Sequence, residues 1–192
     1  MADIGWAPRS ALKRPLQIRA STIRIAASAH RWIVHIAAFR DRADAVRAAM
    51  FAAFAVELPQ RPSMAAGRDL SFVWVGPGAW LAMAECTTER DLYAEISTVV
   101  QGVAAVTDQS DARQIFAVSG SAARDCLAKG FAIDLHPRSF KPGDAAVTHA
   151  AHIAATIWQL NDTPSYEIAV PRSYAESFAE WLHDAAAEFA AQ

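Results

Sequence analysis

The densest group of chemically capable side chains is the stretch GFAIDLHPRSFKPGD at residues 130–144, with Asp134, His136, Arg138, Lys141 and Asp144. An aspartate and a histidine held together can exchange protons with a substrate. Phe131, Ile133 and Leu135 alternate with Ala132, Asp134 and His136, so an extended backbone would bury the apolar set and project Asp134, His136 and Arg138 together. Pro137 keeps the residue before it extended. No nucleophile or substrate clamp accompanies the pair in the sequence. The same residues also suit a structural turn between Pro137 and Pro142, with Arg138 and Lys141 pairing Asp134 and Asp144. Asp134, His136, Arg138 and Lys141 are therefore candidates for a corner or a subunit contact, and no residue is assigned a catalytic role.

Other motifs that would carry chemistry are missing. There is no G-x-G-x-x-G dinucleotide fingerprint, no G-x-x-x-x-G-K-[ST] phosphate loop and no G-x-S-x-G elbow. Gly76-Pro77-Gly78 lies between two strand-like runs and reads as a tight turn. His149 and His152 would share a face only on a helix, whereas VTHAAHIAATIW reads as strand. No metal or cofactor site is assigned. His35 sits in an apolar run and reads as a hydrogen-bonded core residue, and His183 beside Asp184 as a solvent-facing one. Trp32, Trp74, Trp80, Trp158 and Trp181 fall on apolar patterns and are expected in the core. Trp6 stands apart in the N-terminal stretch as a candidate anchor on a partner surface.

The elements that must position these residues follow from periodicity. WIVHIAAF, residues 32–39, predicts a buried strand. Asp41 and Asp44 open a helix whose apolar face, Val46, Met50, Phe54 and Leu58, runs to Pro59. Residues 71–85 predict a hairpin. Thr88 with Asp91 resembles a capping box for a helix bearing Leu92, Ile96, Val99 and Val100 and ended by Gly102. In the second half QIFAV, residues 114–118, predicts a strand and residues 119–130 a short helix stopped at Gly130. Strands over 145–149, 152–160 and 165–170 follow, then a Ser173/Glu176 capping box and a closing helix lined by Phe178, Trp181, Leu182, Ala185 and Phe189. The expected class is α+β: two related β-α-β-β-α, ferredoxin-like halves at 31–106 and 107–192, with antiparallel sheets and layered helices in one compact unit. Residues 1–30, broken by Pro8 and Pro15, are expected to be an arm with at most one short strand.

Composition narrows the function classes. In 192 residues, 53% hydrophobic and 20% charged, a sizeable core is affordable. Eighteen Lys and Arg against twenty Asp and Glu give a charge of -2, which offers no footprint for nucleic acid. The charge is uneven: Arg9, Lys13, Arg14, Arg19, Arg24 and Arg31 face only Asp3 in the first 31 residues, so that end suits an acidic surface. Cys86 and Cys126 are expected to be buried thiols of a cytoplasmic protein. No apolar run is long enough to span a bilayer.

Three patterns give the chain a family likeness: LAKG at 127–130, IDLHPRSF at 133–140, and the run R-S-Y-A-x-S-x-x-x-W-L from Arg172 to Leu182. Together with VWVGPGAWLA at 73–82, they make the chain resemble the gamma subunit of heterotetrameric sarcosine oxidase, most closely over residues 114–190. Ser121 departs from a frequent Pro of that family, and Phe131-Ala132 from a Cys-containing pair. The resemblance implies an accessory subunit without its own cofactor, in a complex that demethylates sarcosine to glycine, yields 5,10-methylenetetrahydrofolate and reduces oxygen to peroxide. It implies alpha (folate-binding), beta and delta subunits as partners, which would hold FAD, FMN, NAD, zinc and tetrahydrofolate. It further implies a fold akin to part of the folate-binding aminomethyltransferases. The alternative is a free-standing folate-binding or aminomethyltransferase-like protein, with Asp134 and Arg138 on pterin or glutamyl groups.

Overall fold

The computed structural model describes residues 10–86 and 90–190; Trp6 lies outside them. In chain order the elements are β1 (Gln17–Arg19), β2 (Arg24–Ala27), β3 (Arg31–Ala38), α1 (Ala43–Phe54), β4 (Met64–Ala66), β5 (Ser71–Gly76), β6 (Ala79–Glu85) and α2 (Leu92–Val99). There follow β7 (Ala104–Asp108), β8 (Arg113–Ser119), α3 (Ala123–Ala128), β9 (Ala145–Ala150), β10 (Ile153–Asn161), β11 (Ser165–Pro171) and α4 (Ala175–Ala190). Two antiparallel sheets result, ordered β4-β5-β6-β3-β7 and β1-β2-β8-β11-β10-β9.

The two-residue period of the strands then decides the layering. On β3, Val34 and Ile36 join Val46 and Met50 of α1 and Leu92 and Ile96 of α2 in one core. Ile33 turns the other way, joining Val73, Leu81 and Met83 of its own sheet with Ile115, Trp158 and Ala169 of the second. The far face of that second sheet, with Ile25, Phe116, Val118, Ile168 and Val170, packs under Cys126 and Leu127 of α3 and Phe178 and Leu182 of α4. The chain is thus a sandwich of helices, sheet, sheet and helices, an α+β arrangement with layered helices.

One polar contact crosses the inner layer. Arg31 Nη1 lies 2.8 Å from Glu167 Oε1 and its Nε 3.3 Å from Glu85 Oε1, tying β3 to β11 and β6. Trp158 Nε1 donates to Glu167 Oε2 at 3.2 Å. Glu167 is only 8% exposed. A carboxylate this buried is tolerable because both its oxygens are bonded.

Several local expectations are corrected. Residues 17–27, expected in an arm with one short strand, form two strands, and β2 pairs with β8, because Ile23 and Ile25 alternate into the core on either side of the exposed Arg24. The first sheet also gains the short strands β4 and β7 beyond the β-α-β-β-α pattern. α1 stops at Phe54 rather than running to Leu58, since Ala55 turns left-handed (φ 54°) and its N–H bonds Phe51 O. Leu58 is still buried. Asp91 caps α2 through its carboxylate on Ala94 N–H, while Thr88 lies outside the described residues. The Ser173/Glu176 capping box does not form: Ser173 sits in a 3₁₀ turn, and the Glu176 carboxylate accepts from Lys13 N–H at 3.0 Å, holding the N-terminal stretch to α4. Cys86 is exposed, whereas Cys126 is buried and burial pushes its thiol up to about 11.

Removing the Glu167 carboxylate leaves the Trp158 indole N–H without its acceptor and leaves Arg31 only the exposed Glu85 as countercharge. Glu167→Ala should therefore cost about 3 kcal/mol in urea-induced unfolding, and a loss below about 0.5 kcal/mol, the range of ordinary surface changes, would show that the contact is dispensable.

Candidate functional site

The segment from Asp134 to Asp144 is a doubly capped corner. Asp134 Oδ1 accepts from His136 N–H at 2.8 Å, and Oδ2 accepts from the Ser139 hydroxyl at 2.5 Å. His136 Nδ1 accepts from Arg138 N–H at 3.2 Å, and the His136 carbonyl accepts from the N–H groups of Ser139 and Phe140. The aspartate thus bonds the backbone of His136 and not its ring, so the two do not form an acid-base dyad. Leu135 and Phe140 are buried on either side of this turn, and the Phe140 ring stacks on Tyr166 with centroids 6.4 Å apart.

A second cap follows. Lys141 N–H donates to Asp144 Oδ2 at 2.9 Å, and Asp144 N–H returns to Lys141 O at 2.9 Å. Gly143 N–H bonds Gln159 O on β10, and Met64 N–H of β4 bonds Gly143 O at 2.7 Å. The corner is therefore where the edges of the two sheets are stitched together by backbone hydrogen bonds. The expected pairing of Arg138 and Lys141 with Asp134 and Asp144 is replaced by these caps; among the described residues no carboxylate reaches either cation. Both side chains, like Asp134 and His136, are exposed.

Electrostatics agree with a cap. The Ser139 hydroxyl, then the His136 N–H, then the nearby imidazole hold the Asp134 carboxyl below its ordinary value. His35, half-buried on β3, is pushed toward the neutral form by burial and then by the charge of Arg113.

The other sequence candidates are not brought together. His149 stands on β9, while His152 occupies a left-handed position (φ 68°) in the turn to β10, next to Ala151 (φ 48°). His183 Nδ1 lies 3.6 Å from Asp184 Oδ1, both well exposed. Among the described residues no three His, Cys, Asp or Glu side chains converge to hold a metal ion. The Pro77-Gly78 turn joins two antiparallel strands, with Gly78 O accepting from Ala38 N–H, so it does not offer a helix-end phosphate cradle. Trp80 and Trp158 are buried, and Trp32, Trp74 and Trp181 pack partly buried on the outer cores.

What sequence reasoning missed is the work of LAKG. Lys129 Nζ donates to Ala185 O at 2.6 Å, pairs Glu188 at 2.5 Å and lies over the Phe189 ring, so it staples α3 to α4. Gly130 is no left-handed stop. A β-carbon there would lie 2.4 Å from the Trp181 ring, so glycine is required by close approach. Spacing alone could not reveal this, because Gly130 and Trp181 meet only when α4 docks.

A model of the sarcosine oxidase, gamma subunit family matches residues 40–188. The chain belongs to that family. It is 34% identical over 149 residues to sarcosine oxidase subunit gamma of Corynebacterium sp. (strain P-1), covering 76% of this chain and 71% of that one. To the subunit gamma of Arthrobacter sp. it is 34% identical over 151 residues, 77% of this chain and 72% of that one. Among solved structures it is similar to a chain of the heterotetrameric sarcosine oxidase from Corynebacterium sp. U-96 in complex with pyrrole 2-carboxylate. That match has a TM-score of 0.80 and 27% identity, over 92% of this chain and 90% of that one. Aminomethyltransferase T of the Bartonella henselae glycine cleavage system shares the fold over 85% of this chain and 46% of its own length, at TM-score 0.59 and 16% identity.

The capping geometry makes a titration prediction. A lowered carboxyl pKa in the folded state means that ionised Asp134 stabilises the fold above the ordinary value of about 3.9, and that this contribution disappears as pH falls through the lowered value. Ser139→Ala should move the Asp134 pKa, read from its carboxyl carbon by NMR, upward toward the ordinary value. An unchanged titration would remove the hydroxyl from the account.

Proposed function

We propose that this chain is the non-catalytic gamma subunit of a sarcosine-oxidase-type flavoenzyme. In that assembly, sarcosine is oxidatively demethylated to glycine, the one-carbon unit passes to tetrahydrofolate, and oxygen is reduced to hydrogen peroxide. FAD, FMN, NAD, zinc and the folate belong on this reading to the alpha, beta and delta partners.

The observation that carries the reading is how the signature residues are spent. Asp134 and Ser139 cap a turn, Lys129 and Gly130 seat α4, and Trp181 covers Gly130. Each of these groups is engaged with the chain's own fold, which supports a structural use of these residues over a catalytic one. Arg138 and Lys141 stand exposed on the same corner without a carboxylate partner among the described residues. An arginine on a rigid platform loses little freedom when a partner carboxylate pairs with it, so Arg138 is the residue assigned to the subunit contact.

Arg138→Ala should weaken association with the partner subunits by about tenfold, measured by reconstitution with wild-type partners, while turnover per flavin in the complexes that form stays at the wild-type value. Full assembly with a selectively lost turnover would overturn the assignment.

A further inference from the structure

Where the chain crosses from β2 to β3, the structure holds a partly open cavity of about 260 Å³. The crossing segment is firmly held: Ser28 N–H bonds Ile115 O at 2.8 Å, and Gln114 Nε2 donates to Ser28 O at 3.1 Å. The Ser110 hydroxyl accepts from Ile33 N–H and donates to Asp108, fixing the opposite wall. Three arginines, Arg31, Arg113 and Arg172, line the space with Ser28, His30 and Ser110, and none of the described lining residues is acidic.

The three charges are not equally answered. Arg31 is paired with Glu85 and Glu167, and Arg172 lies 4.0 Å from Asp111. Arg113 has only a neutral partner: its Nε donates to Gln109 Oε1 at 2.6 Å, and among the described residues no carboxylate comes within ion-pair distance. That bond uses one edge of the guanidinium, and no described partner takes the Nη1 and Nη2 hydrogens. A half-buried cation without a countercharge is costly; burial lowers the Arg113 pKa, and its field helps to keep His35 neutral.

We propose that this cavity binds a carboxylate, seated on the Nη1 and Nη2 hydrogens of Arg113. The planar, two-oxygen geometry of a carboxylate matches the guanidinium fork, and the single uncompensated charge calls for a monoanion. The volume admits a small organic acid or the acidic side chain of a partner subunit, and the carboxylate chemistry is common to both.

The test titrates the full-length chain with sodium acetate against sodium chloride and acetamide at matched ionic strength and pH, following thermal stability and amide chemical shifts. Acetate alone should give a saturable response. Arg113→Gln should weaken it by about ten- to a hundredfold, the worth of a lost charge-assisted hydrogen bond. Gln109→Glu, which sets a carboxylate of the chain's own against Arg113, should abolish acetate binding with the fold intact. If acetate and Arg113→Gln also loosen partner assembly, the natural carboxylate is a partner side chain. If assembly is unaffected while acetate binds, it is a free acid. Absence of a saturable acetate response in the wild-type chain, or equal acetate affinity in the folded Gln109→Glu variant, would overturn the proposal.

Discussion

The inner faces of the two sheets bury Ile33, Val73, Leu81 and Met83 against Ile115, Trp158 and Ala169, and in that apolar layer the Arg31–Glu167 pair supplies a polar contact of fixed geometry. Hydrophobic cores tolerate repacking so long as volume and patterning are kept, and lose uniqueness before they lose stability. A buried ion pair bonded further to Trp158 Nε1 is directional. It fixes where β3 lies on β11. The outer face of each sheet must then find its own cover, and α1 with α2 on one side and α3 with α4 on the other provide it. The stitched corner at Gly143 and the cavity beside Arg113 are both consequences of where the two sheets meet.

The corner illustrates how residues with catalytic potential become structural. Aspartate, histidine and serine near one another look like acid-base machinery, yet the Asp134 oxygens are directed at a backbone N–H and a hydroxyl within six residues of chain. Such local acceptors compete for an aspartate wherever a turn begins. The result is a capped ledge on which Arg138 and Lys141 are exposed. The likeness to aminomethyltransferase T, at 16% identity, concerns the fold alone.

Much of the fold was legible because it rests on strong local periodicity. Residues 71–85 turn at Pro77-Gly78 as expected, and Phe178, Leu182 and Ala185 of α4 face the core. Elements whose signal is weak or interrupted were harder to read. Around β2 the apolar alternation is only Ile23 and Ile25 about Arg24, and β4 (MAA) and β7 (AAVTD) are short and rich in alanine, which favours strands little. The left-handed Ala55 that ends α1 has no glycine to announce it. At the corner, Asp134, His136, Arg138 and Lys141 were found by type and spacing, but their bonding was not, because Ser139 competes with the arginine for the same carboxylate at shorter range. The Arg31–Glu167 contact joins residues far apart in sequence and is visible only once both sheets exist.

On the proposed function, this chain accompanies an assembly and leaves the chemistry to its partners. The most direct measurement is purification of the tagged full-length chain from its native cells, with mass spectrometry of the co-purified chains and a visible spectrum of the eluate. The account predicts larger partner chains in fixed proportion and flavin absorbance that follows them and not this chain when the complex is dissociated. A colourless, unaccompanied chain that binds tetrahydrofolate by itself would contradict it.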